Sequence, residues 1–96
     1  MKQEAMIELM TVAVAQELME AAEGLLVEYA EGKDVLHSSP RSKIRRLSRA
    51  SMFVDALPGM DGAAVGHMIN ELDDLGVIDR MEGCSKERVA EGLVLS

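Results

Sequence analysis

Residues 2–31 contain no proline and one glycine, Gly24, and are otherwise built mostly from strong helix formers. Ile7, Met10, Val14, Leu18, Ala21, Leu25 and Tyr29 recur at steps of three and four, which sets them along one side of an α-helix. A second apolar row, Val12, Met19, Leu26 and Ala30, widens the stripe beyond the ~100° that a surface helix needs. Glu17, Glu20, Glu28 and Glu31 share the remaining side. Such a helix must be covered on two flanks, by the rest of a short chain or by a second copy or partner. At ~1.5 Å per residue it is ~45 Å long, so it either spans the molecule or breaks near Gly24. The sequence favours one unbroken helix over residues 1–32, stopped by Gly32 with Lys33 at its C-terminus.

The rest of the chain is too short for a second domain. Ser39 as N-cap and Pro40 at the first helical position open a helix over residues 39–57, closed by Pro58-Gly59. Asp61 caps a third over residues 61–76, where Ala64, Val65, Met68, Ile69, Leu72 and Leu75 keep the three-four spacing. Leu75-Gly76-Val77 reads as a glycine stop whose next residue folds back on the last turn. Residues 77–96 carry a weaker signal. A short strand turning at Gly83 and a short helix capped by Ser85 are both compatible, and a helical turn with extended ends is preferred. The expected fold is mainly α: one domain, a long N-terminal helix packed on a helix-turn-helix-like pair, and a short irregular C-terminal segment.

With two aromatic side chains, Tyr29 and Phe53, the core has to be aliphatic, and eight methionines supply adaptable filling. The single cysteine, Cys84, excludes an internal disulfide and fits a reducing compartment. No signal-peptide pattern and no membrane-length apolar run occurs, so a soluble, cytoplasmic protein is expected.

Chemistry finds little to work with. Cys84, His37 and His67 have no nucleophile, base and orienting group grouped around them. Two histidines and one cysteine lack metal-site spacing, and Glu71, Asp73, Asp74 and Asp79 lack the glycine and alternating ligands of a calcium loop. Gly59, Gly62 and Gly66 fit no phosphate cradle. No enzyme, metal or cofactor is expected.

Charge is arranged in blocks. Residues 1–34 carry −6, residues 35–51 carry +5 with no acid, and residues 52–96 carry −6, within a total of −7. Arg41, Arg45 and Arg49, at i, i+4 and i+8, form one stripe. Residues 50–80 resemble the heart of a winged helix-turn-helix, with Asp79-Arg80 where a wing strand would start. Yet the would-be recognition helix has no Arg or Lys and presents Glu71, Asp73 and Asp74, the wrong sign for phosphates. Direct nucleic-acid binding is therefore the second reading, as a dimer touching DNA through the arginine stripe; the stripe's other use is to answer the first helix's glutamates within the fold.

The leading expectation is recognition of a basic surface by Glu17, Glu20, Glu28 and Glu31 of the first helix, with Asp73 and Asp74 of the third. The stretches MIELMTVAVAQELMEAAEGLLVEYAEG (residues 6–32) and SRASMFVDALPGMDG (residues 48–62) resemble phage-encoded anti-CRISPR proteins directed at the type I-F surveillance (Csy/Cascade) complex. The resemblance implies a non-enzymatic inhibitor in the cytoplasm of an infected bacterium. It would bind that CRISPR-Cas surveillance complex as monomer or homodimer and block capture of target DNA.

Overall fold

The computed structural model describes residues 3–94, and every regular element in that span is helical. The ends of the first expected helix (residues 1–2) and of the C-terminal segment (residues 95–96) lie outside the described residues. Helix α1 (Gln3–Ala30) runs straight through Gly24, so the alternative of a break there is not taken. It stops at Gly32, whose φ of 77° lets Lys33 N–H reach back to the Glu28 carbonyl (3.0 Å).

Helix α2 (Ser39–Ser51) returns antiparallel to α1. Pro40 lies beside Gly24, Lys43 meets Glu17, and Ser51 and Val54 face Thr11 and Val14. Its cap is Ser38, one residue earlier than expected. The Ser38 hydroxyl accepts from Arg41 N–H (3.4 Å) and donates to the Val35 carbonyl (3.0 Å), which ties it to the loop as well as to the helix. The helix expected to reach residue 57 ends at Ser51. There the Ser51 hydroxyl donates to the Ser48 carbonyl (2.8 Å), and Met52 and Phe53 N–H groups bond three residues back. A 3-10 turn (Val54–Gly59) follows. Pro58 disfavours α geometry at Leu57, and the tighter turn buries both Val54 and Leu57.

Helix α3 (Gly62–Asp74) begins as read: the Asp61 carboxylate accepts from Ala64 N–H at 2.9 Å. Gly76, at φ 84°, closes it. The wing strand placed after Ile78 is instead a helical turn, α4 (Val77–Arg80), and no strand exists among the described residues. The reason lies in burial. Val77, Ile78 and Met81 are all buried, an i, i+1, i+4 pattern that a helix satisfies and that an alternating strand cannot. Ser85 caps α5 (Lys86–Val94), its hydroxyl accepting from Arg88 N–H (3.2 Å), so the expected extended ends are absent up to Val94.

Met10, Leu47, Leu57, Leu72, Val77, Val89 and Leu93 are fully enclosed and centre an aliphatic core, each side chain contributing about 2 kcal/mol. Tyr29 and Phe53 stay outside it. The molecule extends 48 Å, set by α1, and helices α2, α4 and α5 all pack on that one element.

Candidate functional site

Helix α1 is tilted against the core differently from the apolar rows alone. Met6, Met10, Ala13, Val14 and Ala21 are buried, and Glu17 lies among them at 6% exposure. The packed face has rolled across the glutamate side and away from the second apolar row. Val12, Met19 and Leu26 are 54%, 64% and 67% exposed, and Tyr29, placed by its spacing in the first row, is 72% exposed.

Glu17 makes that roll possible. Its Oε1 accepts from Arg80 Nε of α4 at 2.5 Å, and Lys43 Nζ of α2 approaches Oε2 to 2.7 Å as an ion pair rather than an aligned hydrogen bond. Arg80 also pairs with Glu20 through its terminal nitrogen. Burial pushes the Glu17 carboxyl up, but Lys43 and Arg80 outweigh it and hold it below its ordinary value. Glu20 and Glu17 in turn raise Arg80. A Cβ at Gly76 would come within 3.0 Å of Glu17 Oε1, so the glycine serves both the αL turn and the carboxylate's seat. This cluster joins three elements, α1, α2 and α4.

The residues singled out for partner binding therefore have different situations. Glu17 is buried and doubly paired, which removes it from any outward ridge. Glu20 is exposed but engaged by Arg80. Glu28 is half-buried, with one carboxylate oxygen enclosed and without a hydrogen-bond donor among the described residues. Glu31 pairs with Lys33 (2.9 Å), Asp73 faces Lys86 (3.7 Å), and Asp74 is exposed with no carboxylate–cation contact within 4 Å among the described residues. The structure does not gather the six onto one face. A neighbouring bridge, Arg46 Nε to Glu71 at 2.7 Å, ties α2 to α3, and Arg46 holds the Glu71 carboxyl below its usual range.

The basic block divides in two. Lys43 and Arg46 are used inside the fold. Arg45 and Arg49 make no ion pair among the described residues, and Arg41 donates to the Leu36 carbonyl (3.1 Å). With His37, Ser38 and Ser42 these arginines line an open groove of about 320 Å³. A smaller hollow of about 200 Å³ continues past Arg46 and Arg49 to Phe53 and His67. His37 is bound to Asp34 (3.0 Å), and that contact lowers Asp34; Cys84 is half-buried against the core. Among the described residues no group of three or more His, Cys, Asp or Glu side chains is arranged to hold a metal, and no helix is long and apolar enough to cross a membrane.

Fold and surface together define a small, single-domain, all-α protein whose long first helix carries the others. No family model, no curated protein and no solved structure matches the chain.

Proposed function

We propose that the protein acts by binding, as a non-enzymatic inhibitor that occupies a basic, nucleic-acid-handling surface of a protein assembly and keeps target DNA from it. One observation carries this reading: how the charge is left once the internal pairs are made. Glu4, Glu8, Glu23, Asp55, Asp79, Glu82, Glu87 and Glu91 are exposed and make no ion pair among the described residues, whereas of the arginines outside the ion pairs Arg41, Arg45 and Arg49 share one groove and Arg88 of α5 donates to the Gly83 carbonyl. Such a surface is steered toward a basic partner and selects it over anionic ones. The resemblance of residues 6–32 and 48–62 to anti-CRISPR proteins makes the type I-F surveillance complex the first partner to test.

The experiment is capture of the assembled complex by the tagged protein at ~0.15 M salt, with target-duplex binding by the complex measured alongside. Capture that displaces the duplex, and that weakens on joint reversal of Glu23, Asp79 and Glu82 to lysine, supports the proposal. Glu17 stays untouched, since it belongs to the fold. Absence of capture, or capture indifferent to those reversals, refutes the charge argument.

The arginine groove favours a second reading, direct DNA binding. It predicts duplex affinity of the protein alone, falling steeply with salt and lost in an Arg45→Ala, Arg49→Ala variant. Against it stand a third helix without lysine or arginine and a helical turn where a wing would begin.

A further inference from the structure

The large apolar side chains that α1 leaves exposed are Leu9, Val12, Met19, Leu26, Val27 and Tyr29. They are arranged about a centre. Val12 and Leu26 lie seven residues, two turns, to either side of Met19; Leu9 lies ten before it, and Val27 and Tyr29 lie eight and ten after. Met19 is two residues from both Glu17 and Ala21, which are buried, so it points about 160° away from the packed face. In an isologous two-fold contact residue i meets residue j while j meets i, and a stripe balanced around its own midpoint then sets apolar side chains against apolar ones.

We infer that this face is closed by a second copy of the chain, the two α1 helices lying antiparallel with the two-fold axis beside Met19. In that register Val12 meets Leu26 of the other copy, Met19 meets Met19, and Val27 and Tyr29 come level with Leu9 and Thr11. Ala15 and Ala22 fall on one flank and let the backbones approach. On the other flank Gln16 lies beside Glu23 of the second copy, an amide donor against a carboxylate. The antiparallel sense follows from Glu8, which sits within the stripe. A parallel pair sets the two Glu8 carboxylates together, whereas the antiparallel pair separates them by about 33 Å.

The area sets the strength. A helix of 28 residues offers a face ~42 Å long and ~10 Å wide, roughly 400 Å² of footprint per copy, against ~800 Å² for a standard interface. The pair is accordingly weak, monomer when dilute and dimer at high micromolar concentration. Each copy carries −7, so added salt strengthens this contact, opposite to the salt response of an acidic protein on a basic partner. The inference is independent of the inhibitor reading.

Sedimentation equilibrium of the full chain across a concentration series tests it. The expected result is a mass rising from the 10.4 kDa monomer toward twice that value, and a Met19→Lys variant that stays monomeric with unchanged helical circular dichroism. Orientation is read by oxidative cross-linking in a Cys84→Ser background. Met19→Cys links to itself, Val12→Cys alone does not, and Val12→Cys mixed with Leu26→Cys does. A wild-type chain that stays monomeric to millimolar concentration, a dimer indifferent to Met19→Lys, or self-linking of Val12→Cys each overturns the inference.

Discussion

Replacing Glu17 by glutamine tests whether the three-element cluster holds the bundle together. The side chain is 8% exposed, while Arg80 and Lys43 are 25% and 39% exposed. Removing the charge leaves two cations that both reach water, and Arg80 keeps Glu20. The cost is therefore below the 3–5 kcal/mol of a fully buried pair broken on one side. The charge-assisted contacts to Lys43 and Arg80, both screened by solvent, are lost, together about 1–2 kcal/mol. The assay is urea unfolding of both proteins at about pH 7 and about pH 3. Glu17 has a folded pKa below its unfolded value of 4.5, so its contribution is complete above 4.5 and disappears as pH falls through the folded value. Wild type and variant should differ by that amount near neutrality and converge in acid. Equal stability at about pH 7, or a gap that persists undiminished at about pH 3, would refute the reasoning.

Two backbone changes have opposite expected signs. Gly76→Ala puts a side chain at φ 84° and a Cβ 3.0 Å from Glu17 Oε1, and should cost about 1–3 kcal/mol in the same unfolding assay. Gly24→Ala, within α1, places its Cβ an ordinary 3.6 Å from Pro40 Cγ; it should stabilise by about 0.5–1 kcal/mol and raise the thermal midpoint.

Local chemistry was legible in the sequence. The glycine stops at Gly32 and Gly76 and the Asp61 cap each depend on neighbours within a turn, and each stands as read, while the Ser85 cap is one of two alternatives the sequence leaves open. Reading the face of α1 required knowledge of distant residues. Rows of apolar side chains on two flanks left open which flank meets the core. The choice was settled by Lys43 and Arg80, which lie 26 and 63 positions from the glutamate they neutralise. One signal was available: Glu17 keeps helical register with Met10, Val14 and Ala21, so a glutamate sat in the middle of an apolar row. Residues 52–57 depart from the expected α-helix for a related reason. An apolar pair at Val54 and Leu57 suits an α-helix and a 3-10 turn equally, and Pro58 with the Ser51 hydroxyl selects the second. The candidate partner residues stand out in the sequence by charge alone, and charge does not distinguish an internal counterion from a free one.

Helix α1 is made first and completed last. Its hairpin with α2 uses neighbours in sequence, but its remaining packed surface is met by α4 and α5, and the Gln3 side-chain amide donates to the Leu93 carbonyl (2.7 Å), ninety positions along. On a ribosome adding ~5–20 residues per second, the hairpin emerges several seconds before the α4 and α5 segment that packs on α1. During that interval the part of α1 that α4 and α5 cover stays exposed, the kind of transient apolar surface that chaperones shield. Synonymous changes that slow translation of the last third should lengthen that exposure without altering the finished fold.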